Sequence, residues 1–238
     1  MKPRELRLER RREGVREEIL AATRKVLIDR GLAGLTLAAV AEKLQLTKAA
    51  LYYYFPSKEA LYSELMYQSM DRHSKRVEDA ILATTSGADA LEALIRTSAA
   101  DYSERRDELR MTYLVPQVGA AGLALSMGGA MLEKIRPFND RIYGQVAAKI
   151  RAEQHAGALS PSIDGRRLAF LAHLAVIGML TVEGLVEVAD RAPLIHTTNA
   201  MVDDLVLTFQ ARLAAGAAGT AAAAARRPRS RSSRPTKS

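Results

Sequence analysis

The sequence of 238 residues contains no cysteine and no tryptophan. Without cysteine, the chain cannot form a disulfide framework, a thiolate nucleophile or a cysteine-ligated zinc site. It begins without an apolar signal segment, and no apolar run reaches membrane-spanning length, so we expect a cytoplasmic protein with no membrane partner. Residues that favour strands are scarce, whereas alanine, leucine, arginine and glutamate dominate, and this composition predicts an all-helical fold.

Signatures of common enzyme classes are missing as well. The sequence has no glycine-rich phosphate loop, no HExxH and no GxSxG motif. The four histidines have no spacing that would bring two of them to one metal; they are His73, His155, His173 and His196. We therefore expect neither an enzyme, nor a metal site, nor a cofactor.

The net charge of +8 is concentrated at the two ends of the chain. Residues 1–14 carry a net charge of +3 and residues 214–238 carry +6, so the region between them is nearly neutral. A basic N-terminal arm can lie along phosphates or reach a minor groove, but the same residues can also form a solvated helix extension. The tail turns from alanine and glycine to arginine, serine and proline, which predicts disorder with at most one or two turns added to the last helix. It either attracts DNA or only aids solubility.

Residues 35–65 are typical of two short helices in a tight crossing. Thr36 is a suitable N-cap for a first helix, in which apolar residues recur at helical spacing up to Leu44. Thr47 offers a second N-cap after a turn of about four residues, which is the spacing of a helix-turn-helix. The residue before Pro56 is biased against helix, and Ser57 then caps a third helix with Lys58 in its first turn.

The second short helix has one inward and one outward face. Leu51 is expected to turn inward beside Leu46, while Tyr54 faces either the core or the rim of the domain. The outward face is expected to present Lys48, Ala49, Tyr52 and Tyr53. Small side chains at its start let the backbone approach a groove, and a lysine beside free helix-start amides is a good phosphate site.

The run from Arg16 to Leu65 resembles the DNA-binding domain of the tetracycline-repressor (TetR) family of bacterial transcription regulators. The resemblance includes the glycine at Gly31, the Thr36 start, the LYYYF run and the FPSKEAL helix entry. It implies a helix-turn-helix domain at residues 15–60 that binds double-stranded DNA. The residues to which it assigns DNA contact, with Lys58 on a phosphate, are Thr36, Thr47, Lys48, Ala49, Ala50, Tyr52, Tyr53 and Lys58.

Two positions depart from the family pattern. Gln45 stands where the turn usually has a glycine, which predicts a left-handed backbone at a cost on the order of 1 kcal/mol. Ala49 stands where the recognition helix often has a glycine, so the operator sequence cannot be inferred from relatives.

Longer helices follow the DNA-binding unit and form a larger domain over residues 61–213. We expect residues 119–129 to be a loose connection or a poorly formed helix, and Pro137 to kink or start the next helix. The expected helices run over 57–82, 89–105, 108–116, 137–157, 164–190 and 194–213.

The last two helices are apolar on more than one side, which requires cover from two directions. The family resemblance implies that they pair with a second subunit in a four-helix bundle, with Ala172 and Gly178 allowing close approach. Such a homodimer has two-fold symmetry, so its operator is expected to be a palindrome.

The resemblance also implies that the middle helices enclose a pocket for a small-molecule effector. The candidate lining residues combine apolar walls with a few polar groups; they are Tyr102, Met111, Tyr113, Gln117, Tyr143, His173 and Met179. Each could instead be an ordinary core residue. The scarcity of aromatic residues favours a lipophilic effector over a flat cationic one. The expected function is a repressor released by this effector; the alternative is a DNA-binding protein that organises the nucleoid or recruits a partner without an effector.

Overall fold

The computed structural model describes residues 3–31, 33–114, 121–185 and 198–225, and every regular element in these ranges is helical. The all-helical prediction is therefore confirmed. The helices are α1 Pro3–Arg30, α2 Leu37–Lys43, α3 Lys48–Tyr54, α4 Lys58–Leu82, α5 Gly87–Glu104, α6 Arg106–Leu109, α7 Ala121–His155, α8 Gly165–Leu185 and α9 Thr198–Ala225. A π-helical turn, Arg110–Leu114, follows α6 directly.

Helices α1 to α3 and the first half of α4 enclose one apolar core. Its fully buried side chains include Ile19, Val40, Leu51 and Leu61. The expected domain boundary at residue 60 cuts through this core, because α4 contributes side chains as far as Met66. Helix α4 therefore belongs to both domains and joins them physically.

The basic N-terminal segment is not a separate arm. It forms the first turns of α1, which begins at Pro3, and residues 4–13 are exposed. Whether this exposed, basic helical turn also contacts phosphates stays a prediction.

The second apolar core lies between α4, α5, α7, α8 and α9. Helix α5 turns Leu91, Ile95, Ser98 and Tyr102 into this core, where all four are buried. Of the two alternatives for residues 119–129, a loose connection or a poorly formed helix, the structure has a helix from Ala121 onward, where α7 begins, and Pro137 lies inside that helix. Alanine, leucine and methionine are good helix formers, and their number in this segment outweighs its glycines.

The last helix is longer than the sequence suggested. Helix α9 continues through Ala225, so the expected disordered tail from residue 214 is wrong over its first half. The alanine run favours helix strongly enough to overcome the cost of about 1 kcal/mol for each of Gly216 and Gly219. The expected disorder of residues 226–238 lies outside the described residues.

The expectation about apolar runs is also wrong for one helix. Residues Gly165–Glu183 of α8 are long and apolar enough, by length and composition, to cross a membrane. In the fold this helix packs against α5, α7 and α9, and a third of the segment is buried within the protomer. Core helices of soluble proteins meet the same criterion, so the helix alone is weak evidence for a membrane.

Candidate nucleic-acid interface

Three hydroxyl caps position the helices of the N-terminal domain, each as the sequence predicted. The side-chain oxygens of Thr36, Thr47 and Ser57 accept from the amides of Ala39, Ala50 and Ala60 at 3.0 to 3.1 Å. These bonds satisfy amides that the helix itself leaves unpaired. The starts of α2, α3 and α4 are thereby fixed.

The turn between α2 and α3 uses a left-handed residue. Gln45 has φ of 55°, which confirms the conformation predicted for it. The amides of Gln45 and Leu46 bond back to the carbonyls of Glu42 and Ala41, which is the hydrogen-bond pattern of a Schellman motif. The turn sets the angle between α2 and α3 although it lacks the usual glycine.

Helix α3 turns one side inward and presents the other to solvent. Leu51 is fully buried and Tyr54 is half-buried against the N-terminal core, whereas Tyr52 and Tyr53 are 53% and 65% exposed. Thr47, Lys48 and Ala49 are exposed and Ala50 is half-buried. Because more than half of each of these two tyrosines is exposed to solvent, their rings are accessible to a partner.

Four of the predicted DNA-contact residues meet at one surface groove of about 420 Å³. Thr36 comes from the start of α2, Lys48 and Tyr52 from α3, and Lys58 from the start of α4. Glu59 is the acidic residue on the rim of the groove. The arrangement places two ammonium groups and a phenol beside three helix N-termini, which is a chemically suitable surface for phosphates and base edges.

Tyr53 lies outside this groove, and sequence reasoning missed its partners. The guanidinium of Arg12 lies over the Tyr53 ring at 5.0 Å, and that of Arg16 lies over the Phe55 ring at 4.7 Å. Arg16 also donates to the Tyr54 carbonyl at 3.5 Å and is 3.8 Å from Glu64. Contacts from α1 therefore hold the C-terminal end of α3 in place. No local pattern could have indicated these contacts, because the residues are far apart in sequence.

The short segment after α5 connects the two domains. Glu108 of α6 is bound by Arg72 at 2.7 Å and Ser69 at 2.8 Å from α4, and by Arg24 at 3.7 Å from α1. In the following π-helical turn, Met111 is buried in the N-terminal core, and its carbonyl accepts from the Tyr62 hydroxyl. Burial raises the pKa of Tyr62, so its hydroxyl keeps the proton it donates.

The structure brings three of the candidate effector residues together in the larger domain. Tyr143 shares a hydrogen bond of 2.7 Å with Nδ1 of His173, and the Tyr102 ring is parallel to the His173 ring at 6.1 Å. Beside them lies His73, which stacks on Tyr102 at 4.1 Å and which sequence reasoning missed. The signal was present, because Leu65, Ser69, His73, Val77 and Ile81 repeat every fourth residue along the buried side of α4.

Charges around this group are balanced. Asp101 accepts from His73 at 2.8 Å and from Arg76 at 2.8 Å, and it also binds Arg105. Burial raises the pKa of Asp101, but the hydrogen bond and charge of His73, with the two arginines, outweigh burial and lower the pKa overall. Burial, followed by the nearby His73, lowers the pKa of His173 to about 3, so His173 is neutral.

Two of the other candidate effector residues lie elsewhere. Met111 belongs to the N-terminal core, and Met179 borders a shallow recess of about 260 Å³ between α8 and α9. The Tyr113 side chain and Gln117 lie outside the described residues. Met111 therefore packs away from this group, and the part these candidates play in binding an effector stays a prediction.

Helix α8 carries an uncovered apolar side. Phe170, Leu174, Gly178 and Val182 recur every fourth residue, so they share one face, and all four are exposed. A side chain added at Gly178 would meet nothing within 4 Å, so the backbone there is accessible to another helix. Ala172, the other residue expected to allow close approach, is instead fully buried inside the protomer.

Comparisons with known proteins agree with this geometry. The family described as bacterial regulatory proteins, tetR family, matches residues 19–65. The HTH-type transcriptional regulator UidR of Escherichia coli K12 is 25% identical over 149 residues, which are 63% of this chain and 71% of that protein.

Solved structures share the fold over most of the chain. A protein of unknown function from Rhodococcus sp. RHA1 has a TM-score of 0.63 at 22% identity, covering 84% of this chain and 95% of its own. The transcriptional regulator FadR of Bacillus subtilis, solved in complex with stearoyl-CoA, has a TM-score of 0.62 at 13% identity, with coverages of 81% and 96%.

Proposed function

Because residues 19–65 match the TetR family of bacterial transcriptional regulators, we propose that this chain is a homodimeric repressor of that family. In this proposal it binds a palindromic operator and is released by a small lipophilic molecule. The observation that carries the proposal is the groove at which Lys48, Tyr52 and Lys58 meet. Side chains on α3 read base edges there, and Lys58 holds a phosphate beside the N-terminus of α4.

The uncovered face of α8 supports the homodimer. A monomer that left Phe170, Leu174 and Val182 in water would expose a continuous apolar stripe, which is unfavourable. A second copy of α8, placed against the first by two-fold symmetry, covers both stripes at once. The same symmetry presents two α3 helices to two half-sites of DNA.

Release by an effector is supported by the connection between the domains. Helix α4 contributes to both cores, and Glu108 ties α6 to α4 and α1. A molecule bound among α4, α5 and α8 would change the packing of α4, and α4 starts at the proposed phosphate contact. Coupling of this type is typically about 1 to 3 kcal/mol and reciprocal, so operator DNA would weaken effector binding by the same factor. The FadR neighbour, whose ligand is an acyl-CoA, is consistent with a lipophilic effector.

Sedimentation velocity with a matched pair of variants tests the dimer. Val182→Glu places a charge on the uncovered α8 face, and Leu82→Glu places one at a similarly exposed leucine at the end of α4. The expected result is a monomer for Val182→Glu, with loss of binding to a two-half-site operator, and an unchanged dimer for Leu82→Glu. A dimer that persists in Val182→Glu and binds DNA normally would contradict this use of the α8 face.

A further inference from the structure

Three buried polar atoms stand close together in the larger domain without a hydrogen-bond partner. They are Nε2 of His73 on α4, Oγ of Ser98 on α5 and Nε2 of His173 on α8, and none has a partner within the described ranges. All three side chains are more than nine-tenths buried. Leaving buried polar atoms unpaired is unfavourable, so a cluster of them calls for a group that pairs with them.

The three atoms belong to one locality. The His73 and His173 rings lie 5.4 Å apart and are nearly parallel, with 14° between their planes. The Tyr102 ring stacks on the His73 ring at 4.1 Å. Ser98 precedes Tyr102 by one helical turn on the same buried face of α5. Unpaired polar atoms from three helices therefore lie in one part of the buried core.

The opposite nitrogen of each imidazole is already engaged. Nδ1 of His73 is 2.8 Å from the Asp101 carboxylate, and Nδ1 of His173 is 2.7 Å from the Tyr143 hydroxyl. A carboxylate only accepts, so Nδ1 of His73 donates to Asp101, and Nε2 of this ring accepts when the ring is neutral and donates when it is charged. Nδ1 of His173 either accepts from the Tyr143 hydroxyl, which leaves Nε2 of His173 as a donor, or donates to it, which leaves Nε2 as an acceptor.

We propose that His73, Ser98 and His173 form the polar end of the effector site and bind a hydroxyl group on an otherwise apolar molecule. The inference rests on the proposed function as an effector-released regulator. A hydroxyl donates one hydrogen bond and accepts others, so it pairs with both Nε2 atoms when at least one of them donates. The cluster around them is otherwise apolar and includes Val77, Leu94, Ala169, Ala172 and Val176.

Two other ligand classes fit less well. An anionic head group would approach the negatively charged Asp101 carboxylate. Arg76 and Arg105, which could attract an anion, are already paired with that carboxylate. A metal ion would find only two imidazoles, because the described residues contain no group of three or more histidine or carboxylate ligands that could hold it. A neutral group that both donates and accepts is the remaining match.

Histidine-selective ¹⁵N NMR with two probe series tests the proposal on the whole protein. The probes are primary n-alkanols of increasing length and their methyl ethers, which keep the oxygen and the chain but cannot donate. The expected result is that an alkanol shifts the ring nitrogens of His73 and His173 but not those of the exposed His155, and binds at least about tenfold more tightly than its ether. Equal binding of alkanol and ether, binding that leaves His73 and His173 unshifted, or no binding of either series overturns the proposal.

A matched pair of variants adds a second measurement. His173→Phe keeps an aromatic ring without either nitrogen, and His155→Phe makes the same change at an exposed site. The preference for alkanol over ether should fall towards parity in His173→Phe and persist in His155→Phe. If His173→Phe does not fold, Ser98→Ala removes one partner with less disturbance and should reduce the preference. Operator binding by the ligand-free protein distinguishes the two proposals. If the protein does not bind an operator, the proposed function is wrong. If it binds an operator but does not discriminate alkanol from ether, only this inference is wrong.

Discussion

Glu108 and Arg24 lie 3.7 Å apart, although one belongs to α6 and the other to the first helix of the DNA-binding domain. The same carboxylate binds Arg72 and Ser69 of α4, and it is largely shielded from solvent. One side chain therefore connects the segment after α5 to both helices that flank the recognition unit. We infer that its bonds hold the two domains in one relative position.

Replacing Glu108 by glutamine should weaken this connection. Glu108→Gln removes the charge but keeps the shape, so we expect the free energy of unfolding to fall by about 1 to 3 kcal/mol. Urea unfolding checks this, with Asp107→Asn as the control, since Asp107 is the exposed neighbour and should change stability by less than about 0.5 kcal/mol. Equal effects of the two substitutions would show that Glu108 is an ordinary surface carboxylate.

Gln45 offers a stabilising substitution. Its φ of 55° is unfavourable for a residue with a Cβ, so Gln45→Gly should raise the free energy of unfolding by about 0.5 to 1 kcal/mol. Gln45→Ala is the matched control, because alanine keeps the Cβ and the strain. Thermal or urea unfolding of all three proteins decides the matter, and a glycine variant less stable than the alanine variant would rule out strain at this turn.

Lys58 and Lys48 should affect DNA binding in different ways. Lys58→Ala removes a phosphate contact, so binding to all sequences should weaken about equally and the salt slope should flatten by roughly one unit. Lys48→Ala should change base preference instead, because Lys48 lies on α3. Fluorescence anisotropy over a range of salt concentrations measures both, with the exposed Lys25 of α1 replaced by alanine as the control. An unchanged slope in Lys58→Ala would remove it from the interface.

The buried His173 should make stability depend on pH. Its pKa is about 3 in the folded chain against 6.5 ordinarily, so between these values only the unfolded chain holds the proton. The free energy of unfolding should therefore fall as pH drops from 6.5, by about 1 kcal/mol for each pH unit. His173→Phe should flatten this dependence, whatever it does to stability at neutral pH, while His155→Phe should keep it. Equal slopes in all three proteins would show that His173 is not buried as described.

The N-terminal domain could be predicted closely because its signals are local. Thr36, Thr47 and Ser57 each cap the helix that follows within three residues, and the conformation of Gln45 depends on its immediate neighbours. Capping and turn chemistry are written in short stretches of sequence. The positions of these residues on one surface then follow from the resemblance of the whole motif.

The larger domain could be predicted only in part because its site depends on contacts between distant residues. His73 and His173 are a hundred positions apart, and nothing local indicates that their rings stack. Composition also misled at the end of α9, where alanine-rich helix outweighed glycine. Met111, a candidate effector residue from the sequence, packs in the N-terminal core because the π-helical turn carries it to α4.

The central claim is that a two-fold dimer of this chain binds a specific DNA sequence through α3. The most direct measurement is selection of bound duplexes from a random DNA pool, carried out in parallel with the full-length protein and with Tyr52→Ala. We expect a palindromic or nearly palindromic motif for the natural protein and no enriched motif for Tyr52→Ala. The variant should remain a folded dimer because Tyr52 is exposed. Enrichment of many weakly related sequences, or the same motif from both proteins, would contradict the central claim.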